Sequence, residues 1–173
     1  MTNFIEDLRN IKAFIFDIDG VLSQQTIMLN GDGEPIRTIN LRDGYALQLA
    51  VKKGYRIAVI SGGNSISFKK RLLALGVKHI YLQCFDKKMA FNEFLTIEKL
   101  DPAEILYMGD DIPDYEAMNA AGIAVCPTDA DSEIKQISQY ISDRKGGEGC
   151  VRDVIEQVLR LHGNWMNHDA YIW

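Results

Sequence analysis

At 173 residues, 47% hydrophobic and 25% charged, the chain has the size and balance of a globular protein with a sizeable packed core. Its formal net charge of −5 gives no electrostatic footprint for nucleic acid or an anionic membrane, no apolar run reaches the length of a membrane span, and residues 1–10 lack the basic start and apolar core of a signal peptide, so a cytoplasmic location is expected. Cys84, Cys126 and Cys150 lie far apart and His79, His162 and His168 have no metal-ligand spacing, so neither a disulfide framework nor a zinc site is expected.

Residues 1–10 read as a short amphipathic helix with Phe4, Ile5 and Leu8 along one side. Residues 13–16 are apolar at successive positions, the pattern of a strand buried on both faces. Residues 26–29 and 36–39 flank the turn-rich Asn30-Gly31-Asp32-Gly33-Glu34-Pro35, which predicts a β-hairpin flap over about residues 24–40. No obvious helix covers its apolar residues, so the hairpin is expected to act as an active-site flap or an oligomer contact.

A helix over 43–53 stopped by Gly54 comes next. It is followed by a buried strand at 57–60, a basic helix over 65–75 and a short strand at 79–82. Asp86 is placed to cap a helix over 87–100 with Ala90, Phe91, Phe94, Leu95 and Ile97 as its buried stripe. A strand at 105–108, a helix opened by Pro113 and ended by Gly122, and a strand at 123–125 follow. A helix over 132–137, an edge strand at 140–141, a glycine-rich turn at 145–149 and a helix over 151–161 come last. The aromatic tail, about residues 162–173, is expected either to lack order or to dock on a neighbour. Strands alternating with helices predict an α/β, Rossmann-like parallel sheet with helices on both faces.

Chemistry concentrates where the first strand ends, at Asp17-Ile18-Asp19-Gly20. The carboxyl ends of strands are where open α/β sheets build their sites, and alternation lets residues 17 and 19 face the same side. Gly20 allows backbone to approach a ligand closely. Two carboxylates held together call for a cation between them or a retained proton. Three later stretches follow in order: Ser61-Gly62-Gly63, Asp86-Lys87 and Gly109-Asp110-Asp111-Ile112-Pro113-Asp114.

Taken together these four stretches resemble the signature of the haloacid dehalogenase (HAD) superfamily of phosphotransferases. The resemblance implies a single HAD-like hydrolase domain over residues 1–173 and a magnesium ion held by Asp17, Asp19 and Asp110, with Asp19 contributing its backbone carbonyl. Oxygen donors suit that hard cation. It further implies Asp17 as nucleophile through an aspartyl-phosphate and Asp19 as the acid/base. Ser61 and the Gly62 and Gly63 backbone would bind phosphate, and Lys87 would supply a charge to phosphate and to Asp17. Asp114 would orient Lys87 or the metal waters. Asp111 is either a second metal contact or simply an N-cap.

With only a hairpin and no cap domain, residues 11–161 resemble a narrower group, the 3-deoxy-D-manno-octulosonate 8-phosphate phosphatases of lipopolysaccharide sugar synthesis. The resemblance rests on Asn40-Leu41-Arg42-Asp43-Gly44, on Arg71 before Leu75-Gly76-Val77, on Asp86-Lys87, and on Gly146-Gly147-Glu148-Gly149 with Arg152. It implies a cytoplasmic homotetramer assembled through the hairpins, and substrate contacts from Gly20, Asn40, Arg42, Gly62, Gly63, Asn64 and Arg71. Arg42 and Arg71 would pair with the sugar acid.

Two departures stand out. Ser23-Gln24-Gln25 replaces the family's Thr-Asp-Gly, and Gly63 stands where many relatives have arginine, which keeps open a nine-carbon substrate, 2-keto-3-deoxynononate 9-phosphate. Two alternatives of other classes are a receiver-like signalling domain, disfavoured because its lysine comes late in the chain, and a non-catalytic scaffold.

Overall fold

Ala13, Phe14, Ile15 and Phe16 are all buried, as a strand covered on both faces requires. The computed structural model describes residues 4–173; Met1 to Asn3, the start of the expected lead-in helix, lie outside the described residues. In chain order the elements are α1 (Phe4–Asp7), β1 (Ala13–Phe16), β2 (Met28–Leu29), β3 (Pro35–Ile36), α2 (Leu41–Lys52), β4 (Arg56–Ile60), α3 (Ile66–Ala74) and β5 (His79–Tyr81). Then follow α4 (Lys87–Glu98), β6 (Ile105–Met108), α5 (Tyr115–Ala120), β7 (Ile123–Cys126), α6 (Ser132–Ile137), β8 (Tyr140–Ile141) and α7 (Cys150–Leu161).

The main sheet runs β5-β4-β1-β6-β7-β8 with every neighbouring pair parallel. The chain moves outward one way from β1 and then returns to build the other half, so the crevice outside the carboxyl end of β1 is the topological switch point. A receiver domain seats its first strand between the second and third strands of its sheet. Here β1 lies between β4 and β6, and the receiver reading fails on topology.

Side-chain alternation divides β1 between two cores. Phe14 and Phe16 join Leu47 and Ala50 of α2 and Val151 and Ile155 of α7 on one face. Ala13 and Ile15 join Phe91 and Phe94 of α4, Met118 of α5 and Ile134 of α6 on the other. Caps set the helix starts: Asn40 accepts from the backbone N–H groups of Arg42 and Asp43, Ser65 from Phe68, and Asp86 from Met89. Each such cap contributes about 1 kcal/mol.

Three expectations are corrected. The hairpin strands are two residues each, pairing Met28 with Ile36 and Leu29 with Pro35, so residues 37–39 leave the ladder. α4 stops at Glu98, where Lys99 turns into the left-handed region, and Ile97 of its supposed buried stripe is exposed. The tail is ordered on its own chain: Trp165 is buried, Tyr45 donates its hydroxyl to the Ala170 carbonyl at 2.5 Å, and Trp173 stacks on Tyr45 at 5.7 Å. Aromatic area buried against α2 supplies the driving force.

α7 begins at Gly149, which has no side chain to cap it, and Asp43 of α2 does so from a distance. Its Oδ1 accepts from the Arg152 N–H at 2.7 Å, while Oδ2 is buried with no close hydrogen-bond partner among the described residues. Burial outweighs the hydrogen bonds and raises this carboxyl to about 6. With an unfolded value of about 3.9, protonated Asp43 contributes stability that is full below about pH 4 and lost as pH rises through 6. The swing is on the order of 2 to 3 kcal/mol. Asp43→Asn keeps an acceptor for Arg152 and has no proton to lose. Urea unfolding of this variant is therefore expected to show a flatter stability profile than wild type between pH 4 and 6.5.

Candidate active site

The turn after β1 delivers two carboxylates to the switch point. The Asp17 N–H continues the ladder to the Met108 carbonyl, its Oδ1 accepts from the Ile18 N–H at 2.6 Å, and its Oδ2 accepts from Lys87 Nζ at 2.7 Å. Gly20 adopts φ +85°, and a Cβ there would fall 1.9 Å from Asp110 Oδ2. Only glycine satisfies both conditions. Behind it, a Cβ on Gly146 would meet the Gly20 carbonyl oxygen at 1.9 Å, so the 145–149 turn and the Asp17–Gly20 turn touch backbone to backbone.

Lys87 is the first residue of α4, aimed back at the sheet by the Asp86 cap. Its buried ammonium donates to Asp17 and, at 2.7 Å, to Asp114 Oδ1, which also accepts from the Tyr107 hydroxyl at 2.9 Å. Burial works to lower the Lys87 pKa, but the Asp17 and Asp114 carboxylates outweigh it and hold the group protonated. Lys88 instead lies over the Phe91 ring. Asp17 itself is raised, first by burial and then by Asp114. Burial and Asp114 likewise raise Asp110, to about 7.

Oxygens of Asp17, Asp110 and Asp114 lie within 4.8 Å of one another around a single ammonium, and Asp110 Oδ1 is buried with no partner. Fully ionised, three carboxylates against one cation would leave an excess of two negative charges. A hard divalent ion on Asp17 and Asp110, with Asp114 close behind, fits that oxygen donor set.

An open cleft of about 800 Å³ leads down to this cluster, and Asp17, Asp19, Ser61, Gly62, Gly63, Lys87 and Asp110 all line it. Asp111 lines it too, but its Oδ1 accepts from the Ile112 N–H at 2.8 Å, the capping role. Not every expected contact converges. Asn40 caps α2 and donates to the Gly147 carbonyl. Arg42 lies on a separate groove with Arg144 and Arg152, Asn64 faces a neighbouring depression, and Arg71 stacks on Trp173 at 6.0 Å. Within one chain these four stand outside the cleft.

Sequence reasoning missed three residues. Tyr107 was recognisable as the polar-tipped member of an apolar strand. Gln25 donates to Asp110 Oδ2 at 3.3 Å and to the Asp129 carbonyl at 2.9 Å. Arg37, just past β3, forks onto Asp19, with Nε on Oδ1 at 2.6 Å and Nη2 on Oδ2 at 2.8 Å. Its one signal in the sequence was a lone charge within the apolar run 36–39.

This strand order, with an acidic turn after β1, a serine-glycine turn after β4, a lysine opening α4 and acids after β6, defines the haloacid dehalogenase-like hydrolases, and the profile of that description matches residues 76–154. Whole-length similarity goes further. Escherichia coli (strain K12) 3-deoxy-D-manno-octulosonate 8-phosphate phosphatase KdsC is 32% identical over 159 residues, 92% of this chain and 85% of that protein; the Yersinia pestis protein of the same name is 32% identical over 155 residues, 90% and 83% respectively. The chain belongs to this phosphatase family. The Moraxella catarrhalis phosphatase, in complex with magnesium, phosphate and KDO, superposes with a TM-score of 0.89 at 31% identity, covering 97% of this chain and 95% of that one. The cobalt-bound Haemophilus influenzae phosphatase gives 0.89 at 26%, covering 96% and 99%.

Removing the shared ammonium exposes the charge excess. In chelator-treated protein at pH 7, Lys87→Met is expected to lose about 3 to 5 kcal/mol in urea unfolding, the cost of an uncompensated buried pair. Adding Asp114→Asn to it is expected to recover part of that loss.

Proposed function

We propose that this protein is a magnesium-dependent phosphatase that hydrolyses 3-deoxy-D-manno-octulosonate 8-phosphate to the free sugar acid and phosphate. The observation that carries the reading is the buried meeting of Asp17, Asp110, Asp114 and Lys87 at the floor of the cleft, in a chain whose relatives carry that activity in their names.

Asp17 is the nucleophile: one carboxylate oxygen attacks phosphorus, an acyl-phosphate bond forms and the ester P–O bond breaks. Lys87 steadies Asp17 and meets charge on the phosphoryl oxygens. Ser61, buried beside Gly62 and Gly63, donates its hydroxyl to another phosphoryl oxygen. Asp19 gives a proton to the leaving alkoxide and later takes one from the water that attacks phosphorus and releases Asp17. Asp114 and Tyr107 hold Lys87 in register. Asp17, Asp110 and the Asp19 backbone carbonyl would hold a magnesium ion, which when bound would offset the repulsion between carboxylate and phosphate.

The hairpin supports a tetrameric form of this enzyme, and we take the enzyme to be cytoplasmic. Met28, Leu29 and Leu41 are 68%, 64% and 71% exposed, an apolar strip of the kind that a second copy covers. Arg42 and Arg71 would then meet substrate only across a subunit boundary. Replacing Met28 and Leu29 together by aspartate is expected to convert tetramer to monomer on sizing.

The activity test is a comparison of kcat/KM on the eight-carbon ester and on 2-keto-3-deoxynononate 9-phosphate. We expect the eight-carbon ester to lead, chelation to abolish turnover and magnesium to restore it. Asp17→Asn is expected to lower kcat at least about 10³-fold, since the nucleophile is lost. Full activity in that variant, or without divalent metal, would contradict the reading.

A further inference from the structure

Arg37 is a charged side chain just past the second strand of the hairpin, and it is folded inward. Its side chain is 7% exposed. Nε and Nη2 grip both oxygens of Asp19 at 2.6 and 2.8 Å, while Nη1 is buried with no partner among the described residues. Room for this head exists because residue 63 is glycine: a Cβ there would lie 2.6 Å from Arg37 Nη2 and 3.2 Å from Asp19 Oδ2. The guanidinium therefore stands between the Asp19 carboxylate and the serine-glycine turn.

A permanent brace does not account for this arrangement. The planar fork covers the end of the Asp19 carboxylate that must meet the leaving oxygen. A buried N–H without an acceptor costs about 1 to 3 kcal/mol. Both difficulties vanish when a second carboxylate enters, because a guanidinium can exchange one carboxylate for another at little electrostatic cost and offer its spare donor to the newcomer. Its flexible stem lets the head turn while the hairpin stays in place.

We propose that Arg37 recognises the carboxylate of the substrate, and that its transfer from Asp19 to that carboxylate frees Asp19 for the leaving oxygen. This rests on the phosphatase reading above. Specificity is then built into the hairpin of the same chain: a phosphate ester without a carboxylate meets an Asp19 that is still covered. Gly63 is the complementary half of the device, since any larger residue would take the space of the guanidinium.

The test is steady-state kinetics of wild type, Arg37→Ala and Arg37→Lys on the sugar acid phosphate and on a simpler pair, 6-phosphogluconate, which has a carboxylate, and glucose 6-phosphate, which has none. Arg37→Ala is expected to lower kcat/KM on the carboxylate-bearing esters by about 10- to 100-fold, the range for a lost charge-assisted pair, and to raise turnover of glucose 6-phosphate. Arg37→Lys keeps the charge without the fork, and is expected to melt as wild type does while sharing the loss on carboxylate esters. Proportional loss on both classes would make Arg37 a brace for Asp19 and overturn the proposal, and so would no loss on either. If wild type ignores the sugar acid phosphate yet turns over the simpler pair, the substrate reading fails alone, and the ratio within that pair decides the role of Arg37.

Discussion

The Lys87 ammonium, shared by Asp17 and Asp114 in a buried pocket, is the interaction on which the rest of the molecule depends. It ties together the end of β1, the start of α4 and the loop after β6, three segments far apart in the chain. Such a cluster is poor evidence for stability, because desolvating charges offsets most of what their attraction returns. Here the balance is worse than neutral, since Asp110 adds a third carboxylate with one buried oxygen unpartnered. The two hydrophobic cores on either face of the sheet hold this unfavourable constellation in place. What the fold tolerates in charge excess becomes affinity for a divalent cation and, through it, for a phosphate dianion.

The residues around that pair are arranged by local rules. Asp86 satisfies the first turn of α4 and in doing so sets the direction of Lys87. Gly20 allows the acidic turn to close on Asp110. The hairpin stands apart from this economy: its exposed apolar strip faces outward while Arg37 faces in. One short insertion thus carries an exposed apolar strip and a buried charged group held against Asp19.

Much of this was legible before any coordinates. The continuous apolar run 13–16, the acidic turn behind it and the order of the later motifs defined the switch point, because buried parallel strands and their carboxyl-end loops leave strong local marks. Lys87 was separable from Lys88 through the capping position of Asp86. What stayed hidden depends on distance in space. Asn40 carries the same side chain whether it caps α2 or touches substrate, and Asp43 caps a helix more than a hundred residues away. Gln25 reaches the cleft, and Arg37 reaches Asp19 at its wall, from a segment with little regular structure, where periodicity says nothing of direction. Arg42 and Arg71 matched a family pattern, but within one chain they stand elsewhere, Arg71 under the aromatic ring of Trp173.

The backbone contact between Gly20 and Gly146 has a consequence for biosynthesis. The turn that holds Asp17 and Asp19 is buttressed by a loop far along the chain, and the Val21 carbonyl accepts from the Gly147 N–H at 2.8 Å. β6, whose Met108 carbonyl anchors Asp17, is likewise made late. A nascent polypeptide therefore carries its paired aspartates without this support until residues 146 and 147 have left the ribosome and folded back onto the first turn.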